Sequence, residues 1–167
     1  KRVQIHGIAA DIAWVFQLEV SSIAPETEVA WRIVKNYRTT LGFRMRLSTW
    51  DPEDPKGKEK FLDDPKGWDE TQRILREAME ESGYPFYVGK GEAAFYGPKI
   101  DFQLKTVTGR EETASTSQLD FGIPRRLGLT YVGADNKDHH PYVIHRAPLG
   151  THERFVAFLV EMYGGAF

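Results

Sequence analysis

The sequence predicts an α+β domain, an antiparallel sheet flanked by helices, and two observations carry that reading. From residue 86 onward, short stretches of alternating polar and apolar residues are separated by turn residues, which is the pattern of hairpin-linked strands. Only three stretches space their apolar residues at helical intervals. At 167 residues the chain has the length of one ordinary domain, and a single domain over residues 1–167 is expected.

Residues 3–16 read as two short strands broken at Gly7, with Ile12, Trp14 and Phe16 alternating against Ala13, Val15 and Gln17. A helix over residues 26–41 follows, because Val29, Ile33, Tyr37 and Leu41 share a face and Gly42 terminates it. Residues 43–48 read as a strand. Residues 51–67 hold three prolines and two glycines among alternating charges, and read as a solvated loop. The second helix spans 69–82, burying Ile74, Leu75, Ala78 and Met79 and closing at Gly83. Strands are then expected at 86–88, 100–106, 111–120, 129–133 and 141–146, with Thr108 and Gly109 in a tight hairpin turn. The final helix, 151–163, places Phe155, Phe158, Leu159 and Met162 on one face.

Composition excludes several classes. With no cysteine, disulfides, thiolate metal sites and cysteine nucleophiles are absent from these residues. No apolar run reaches the roughly 20 residues of a membrane span, so a non-membrane, cytoplasmic protein is expected. The net charge of -2 gives no global field for nucleic acid, and any RNA contact must come from local patches. P-loops, dinucleotide fingerprints and nucleophile elbows are missing.

Three segments hold candidate chemistry. Residues 111–120, Glu-Glu-Thr-Ala-Ser-Thr-Ser-Gln-Leu-Asp, show no apolar stripe on either face, which suits a strand lining a wet cleft or a solvent-facing sheet edge. In Ala-Phe-Tyr-Gly-Pro-Lys-Ile-Asp, Gly97 and Pro98 restrict the backbone between a phenol, Tyr96, and an ammonium, Lys99; an ordinary turn with a surface lysine fits as well. In the turn into the last helix, Arg154 flanks the apolar stripe, where a guanidinium suits a bidentate triphosphate contact or an ion pair with Glu161. His139, His140, His145 and His152 cluster, but not at the spacing of a helix-borne metal pair.

Taken in order, Ala-Phe-Tyr-Gly-Pro-Lys-Ile-Asp, Ser-Gln-Leu-Asp-Phe, Leu-Thr-Tyr-Val-Gly-Ala-Asp, Val-Ile-His-Arg-Ala and Gly-Thr-His-Glu-Arg-Phe resemble the threonyl-tRNA synthetases. The resemblance runs over residues 43–167, and its last segment is similar to class II motif 3. It implies a class II synthetase catalytic core that activates threonine with ATP and Mg2+ and passes it to tRNA(Thr). It also implies catalytic roles for Arg154, Lys99 and Gln118, and a threonine and adenylate pocket lined by Tyr96, Lys99, Gln118 and His145. The nucleotide side would hold Thr116, Gln118, Gly150 and Arg154, and His145 would match a zinc ligand.

The resemblance weakens toward residue 1. The family places an acidic residue and a second zinc histidine two positions apart, where this sequence has Ile12 and Trp14, neither of which offers a metal donor. The family is homodimeric; its dimer strand, motif 1, and the arginine-bearing loop of motif 2 would precede Lys1, so the 167 residues alone are expected to be inactive. A second reading follows from the same two positions: a non-catalytic class II relative serving as a binding or scaffold module, with an apolar refill of the metal pocket.

Overall fold

The computed structural model describes residues 43–55, 57–147 and 149–166. The strands expected over 3–16 and the helix expected over 26–41, with Ile12 and Trp14, lie outside them.

Among the described residues five strands form one mixed sheet: β1 (Phe43–Thr49), β2 (Phe86–Lys90), β3 (Lys99–Lys105), β4 (Glu111–Asp120) and β7 (Val143–Ala147), in the spatial order β2-β1-β3-β4-β7. Every neighbouring pair is antiparallel except β1 and β2, which run parallel. A parallel pair needs a crossover, and helix α2 (Pro65–Glu81) supplies it. Two short strands, β5 (Tyr131–Val132) and β6 (Asp138–His139), pair in a separate ribbon. The remaining helices are α1 (Gly57–Lys60), α3 (Ile123–Arg126) and α4 (His152–Tyr163).

Strand alternation divides the sheet into an apolar and a polar face. Met45 and Leu47 of β1, Ile100 of β3 and Leu119 of β4 are buried with Ile74, Leu75, Ala78 and Met79 of α2, the stripe expected for that helix. The intervening residues, Arg46, Ser48, Lys99, Asp101, Thr116 and Gln118, belong to the other face.

The α2 helix begins at Pro65, inside the stretch expected as loop, and α1 forms there too. Its start signal is the Asp-Pro pair: Asp64 caps the helix by accepting from the Gly67 amide at 3.0 Å, and Pro65 has no N–H to leave unsatisfied. At this end Trp68 is buried among Phe61, Ala93 and Phe121; it stacks on Trp50 at 5.4 Å and donates its indole N–H to the Leu62 carbonyl at 2.8 Å. The expected hairpin between β3 and β4 closes through Gly109 N–H to Thr106 O (2.9 Å) and Thr106 N–H to Arg110 O (2.8 Å). The pairing passes from Phe102 with Ser115 to Gln103 with Thr113, leaving Ala114 as a bulge. Against it, α4 buries Phe158 with Leu104 and Ala114, and Phe155, Leu159 and Met162 pack alongside, as its spacing predicts.

Candidate active site

Strand register assembles the polar face row by row, because residues directly paired across a sheet project to the same side. Ser48 pairs with Lys99, Lys99 with Gln118, and Gln118 with His145, so four side chains from four strands stand in one line. Two residues along the strands, Arg46, Asp101 and Thr116 make the adjacent line. With β3 on one side and β7 on the other, the stretch Thr116–Asp120 of β4 is interior to the sheet, and the edge-strand reading does not hold for the half of residues 111–120 that carries Thr116 and Gln118.

Tyr96 reaches this row because the Gly-Pro corner is bolted to the end of β4. The Tyr96 carbonyl accepts from the amides of Phe121 and Gly122, both at 3.2 Å, and the Pro98 carbonyl accepts from Leu119 N–H at 3.0 Å. The approach is so close that a Cβ on Gly97 would lie 1.9 Å from the Leu119 carbonyl oxygen. Held there, the Tyr96 hydroxyl donates to Gln118 Oε1, and its ring lies 5.3 Å from the imidazole of His145. Burial pushes the phenol's pKa up, and the Asp120 carboxylate adds to the effect.

Asp120 is the fixed point beneath His145. It is fully buried, its Oδ1 accepts from the amides of Gly122 (3.0 Å) and Ile123 (2.9 Å), and its Oδ2 lies 2.8 Å from His145 Nε2. A carboxylate so anchored sets the orientation of the imidazole.

Asp101 anchors the second line. Its Oδ2 accepts from Ser48 Oγ at 2.6 Å and Arg46 Nη2 at 2.9 Å and lies 3.2 Å from Lys99 Nζ; its Oδ1 accepts from Thr116 Oγ1 at 2.7 Å. Burial alone would push this carboxyl up, but the hydroxyls of Ser48 and Thr116 and the cations of Lys99 and Arg46 outweigh it, and the net result is a pKa below the ordinary carboxylate value.

Arg154 and Gly150 meet β4 farther along, at its bulge. Gly150 has a φ of 62°, and a Cβ there would lie 2.9 Å from the Ala114 carbonyl oxygen, so the turn needs glycine on both counts. Thr151 caps α4 by accepting from Arg154 N–H at 3.3 Å. The Arg154 guanidinium donates to the Thr113 carbonyl at 3.0 Å and lies 3.9 Å from Glu112, while Glu161, its expected ionic partner, accepts from Val107 N–H. Tyr96, Lys99, Thr116, Gln118 and His145 are thus adjacent on one sheet face, and Arg154 is fastened to β4 three residues from Thr116.

The histidines do not act as a group. His139 pairs with Asp135 at 2.8 Å, His140 with the Leu129 carbonyl at 2.8 Å, and His145 with Asp120. Among the described residues no set of three His, Asp or Glu side chains is placed to hold a metal ion. Asp120 meets His145 at Nε2, as a carboxylate that orients a metal-binding imidazole would, but among the described residues no second and third donor complete a zinc set with it, and no chemical step is routed through zinc.

Sequence reasoning passed over Asp101, Asp120, Arg46 and Ser48 as site residues. The signal was there for two of the strands: charged or polar side chains at every second position, Arg44-Arg46-Ser48 and Lys99-Asp101-Gln103, mark one face as polar over three positions.

A mixed sheet with a hydroxyl-bearing strand, a Tyr-Gly-Pro-Lys corner and a strand-turn-helix with an arginine in the first turn of its helix defines a class of protein. Residues 3–163 match the model of the tRNA synthetase class II core domain (G, H, P, S and T), and the chain belongs to that family. Within it, the similar proteins are threonine-tRNA ligases. The enzyme of Geobacillus kaustophilus is 56% identical over 125 residues, covering 75% of this chain and 19% of the relative. Threonine-tRNA ligase 1 of Bacillus subtilis is 45% identical over 166 residues, covering 98% of this chain and 25% of the relative. The chain therefore spans about a fifth to a quarter of the length of these curated relatives. Among solved structures, the RNA binding domain of threonyl-tRNA synthetase from Cryptosporidium parvum Iowa II superimposes with a TM-score of 0.72 at 29% identity, covering 96% of this chain and 36% of that one. A putative threonyl-tRNA synthetase from Aeropyrum pernix gives a TM-score of 0.66 at 29% identity, covering 96% and 34%.

Proposed function

We propose that this chain is part of the threonine-activating centre of a threonine-tRNA ligase, working on threonine, ATP with Mg2+ and tRNA in the cytoplasm. The observation that carries the reading is the line Lys99-Gln118-His145, drawn from three neighbouring strands and joined by Tyr96 through Gln118. In the reaction a threonine carboxylate oxygen attacks the α-phosphorus of ATP; the new P–O bond forms as the bond to the β-phosphate breaks, and pyrophosphate leaves with the electron pair. The adenylate then gives its threonyl group to tRNA. Tyr96, Lys99, Gln118 and His145 hold the amino acid. Thr116, Gln118, Gly150 and Arg154 serve the nucleotide, and the cations of Lys99 and Arg154 stabilise charge that develops on phosphate oxygens. Such a site works by orientation and preorganised electrostatics.

Threonine-dependent exchange of label between pyrophosphate and ATP, measured on the natural protein that contains this chain, tests the proposal. Exchange is expected, and Arg154→Ala should lower it about a hundredfold or more, the scale for losing one preorganised charge-stabilising group. Absence of exchange defeats the proposal. The second reading, a non-catalytic binding module, is favoured by Ile12 and Trp14, which offer no metal donor. Stoichiometric zinc in the purified protein would contradict that second reading.

A further inference from the structure

We propose that Asp101 is a positioning residue, fixing where the Lys99 ammonium and the Thr116 hydroxyl stand in the site; the role rests on the function proposed above. The carboxylate is only 1% exposed, and it is gripped from both neighbouring strands. Ser48 and Arg46 hold Oδ2 from β1, and Thr116 holds Oδ1 from β4, so the group cannot turn about its own axis without breaking a bond. Lys99 lies two residues away on the same strand, its ammonium 3.2 Å from Oδ2 and its side chain 19% exposed. The contact is an ion pair, so the carboxylate draws the ammonium to one side of the site while its N–H donors remain for a substrate.

Charge balance argues the same way. Asp101 faces two cations, Arg46 and Lys99, and since Arg46 also has Glu92 beside it, the Lys99 ammonium is not needed to neutralise Arg46's surroundings and stands toward the polar face. Arg46 is held back at 18% exposure, also 3.6 Å from Glu92. A carboxylate kept only for stability would be a poor choice, because buried ion pairs commonly stabilise no more than apolar residues of the same volume. A fixed carboxylate does, however, hold a flexible four-carbon side chain in one place.

Acylation of the native protein with an amine-directed ester, followed lysine by lysine in a mass spectrometer, reads that hold directly. Lys99 should react about tenfold or more slowly than exposed Lys137, the scale set by a charge-assisted bond. In Asp101→Asn the Lys99 rate should rise several-fold while Lys105 and Lys137 stay unchanged. Equal rates for Lys99 and Lys137 in the native protein overturn the proposal, as does undiminished protection in folded D101N. Should D101N unfold, Ser48→Ala, which loosens the grip on Oδ2 without removing charge, must still speed Lys99; no change there also overturns the idea. In the exchange assay D101N should lower kcat between about tenfold and a hundredfold, as expected for a misplaced reacting group, and D101N combined with Lys99→Met should be no slower than K99M alone. Additive losses in the double variant overturn the proposal. A native protein with no threonine-dependent exchange counts against the function, and the acylation rates then decide Asp101 by themselves.

Discussion

Replacing Gly97 by alanine puts the least space under the greatest demand. The new Cβ would lie 1.9 Å from the Leu119 carbonyl oxygen and 2.9 Å from its carbon, and both are backbone atoms of β4 that no side-chain rotation can move. Ordinary contact needs more than 3 Å, so the corner must retreat by more than about 1 Å. That retreat pulls on Leu119 N–H to Pro98 O and on the two amides that meet the Tyr96 carbonyl. Overpacking of this kind costs about 1–3 kcal/mol, and losing one backbone hydrogen bond adds about 1 kcal/mol, for a total of about 2–4 kcal/mol. With a urea slope of about 2 kcal/mol/M, the unfolding midpoint should fall by roughly 1–2 M, followed through tryptophan emission. Gly109→Ala is the control: nothing lies within 4 Å of its Cβ, but its φ is 81°, so it should lose only about 1–2 kcal/mol, the strain of a left-handed backbone. If Gly97→Ala loses no more than Gly109→Ala, the close seating of the corner on β4 is wrong, and with it the placement of Tyr96.

Asp101 should shape the acid limb of stability. Its folded pKa lies below that of an unfolded aspartate, about 3.9, so its stabilising contribution is full above that value and is lost as pH falls through the folded one. Melting temperatures between pH 7 and pH 2 should therefore fall less steeply in D101N than in the native protein, and parallel curves would refute the assignment. Trp68→Ala removes a fully buried indole from between Trp50, Phe61 and Phe121 and should cost about 3–5 kcal/mol in urea unfolding, against under about 1 kcal/mol for Arg44→Ala, whose bidentate pair with Glu111 is solvent-exposed. Equal losses in these two variants would show that the aromatic cluster does not anchor α2.

Local patterns made much of this legible. Period-two alternation in Arg44 to Ser48 and in Ile100 to Leu104 marks strands because opposite faces of a strand see different surroundings, and the structure buries Met45, Leu47, Ile100 and Leu104 accordingly. The apolar spacing of Ile74, Leu75, Ala78 and Met79 and of Phe155, Phe158, Leu159 and Met162 likewise marks the two helices. The start of α2 is hidden in the sequence because the charges and prolines over residues 51–67 mask a local signal, the cap at Asp64 with Pro65 behind it. The parallel pairing of β1 with β2 has no local signature, since it is made by residues some 40 positions apart that meet only when α2 lies on the sheet.

The candidate site divides the same way. Sequence by itself determined which residue types were available: a hydroxyl-rich strand, a Tyr-Gly-Pro-Lys corner and an arginine at the head of the last helix, in an order shared with one family. Only the tertiary structure decided that Lys99, Gln118 and His145 stand in one line, that the buried Asp101 and Asp120 meet Lys99 and His145, and that Thr116–Asp120 run between two strands. The physical reason is that register and burial arise from pairing between distant segments. A carboxylate reads the same in sequence at a wet edge or beneath an imidazole, and only its neighbours set its charge, its orientation and its work.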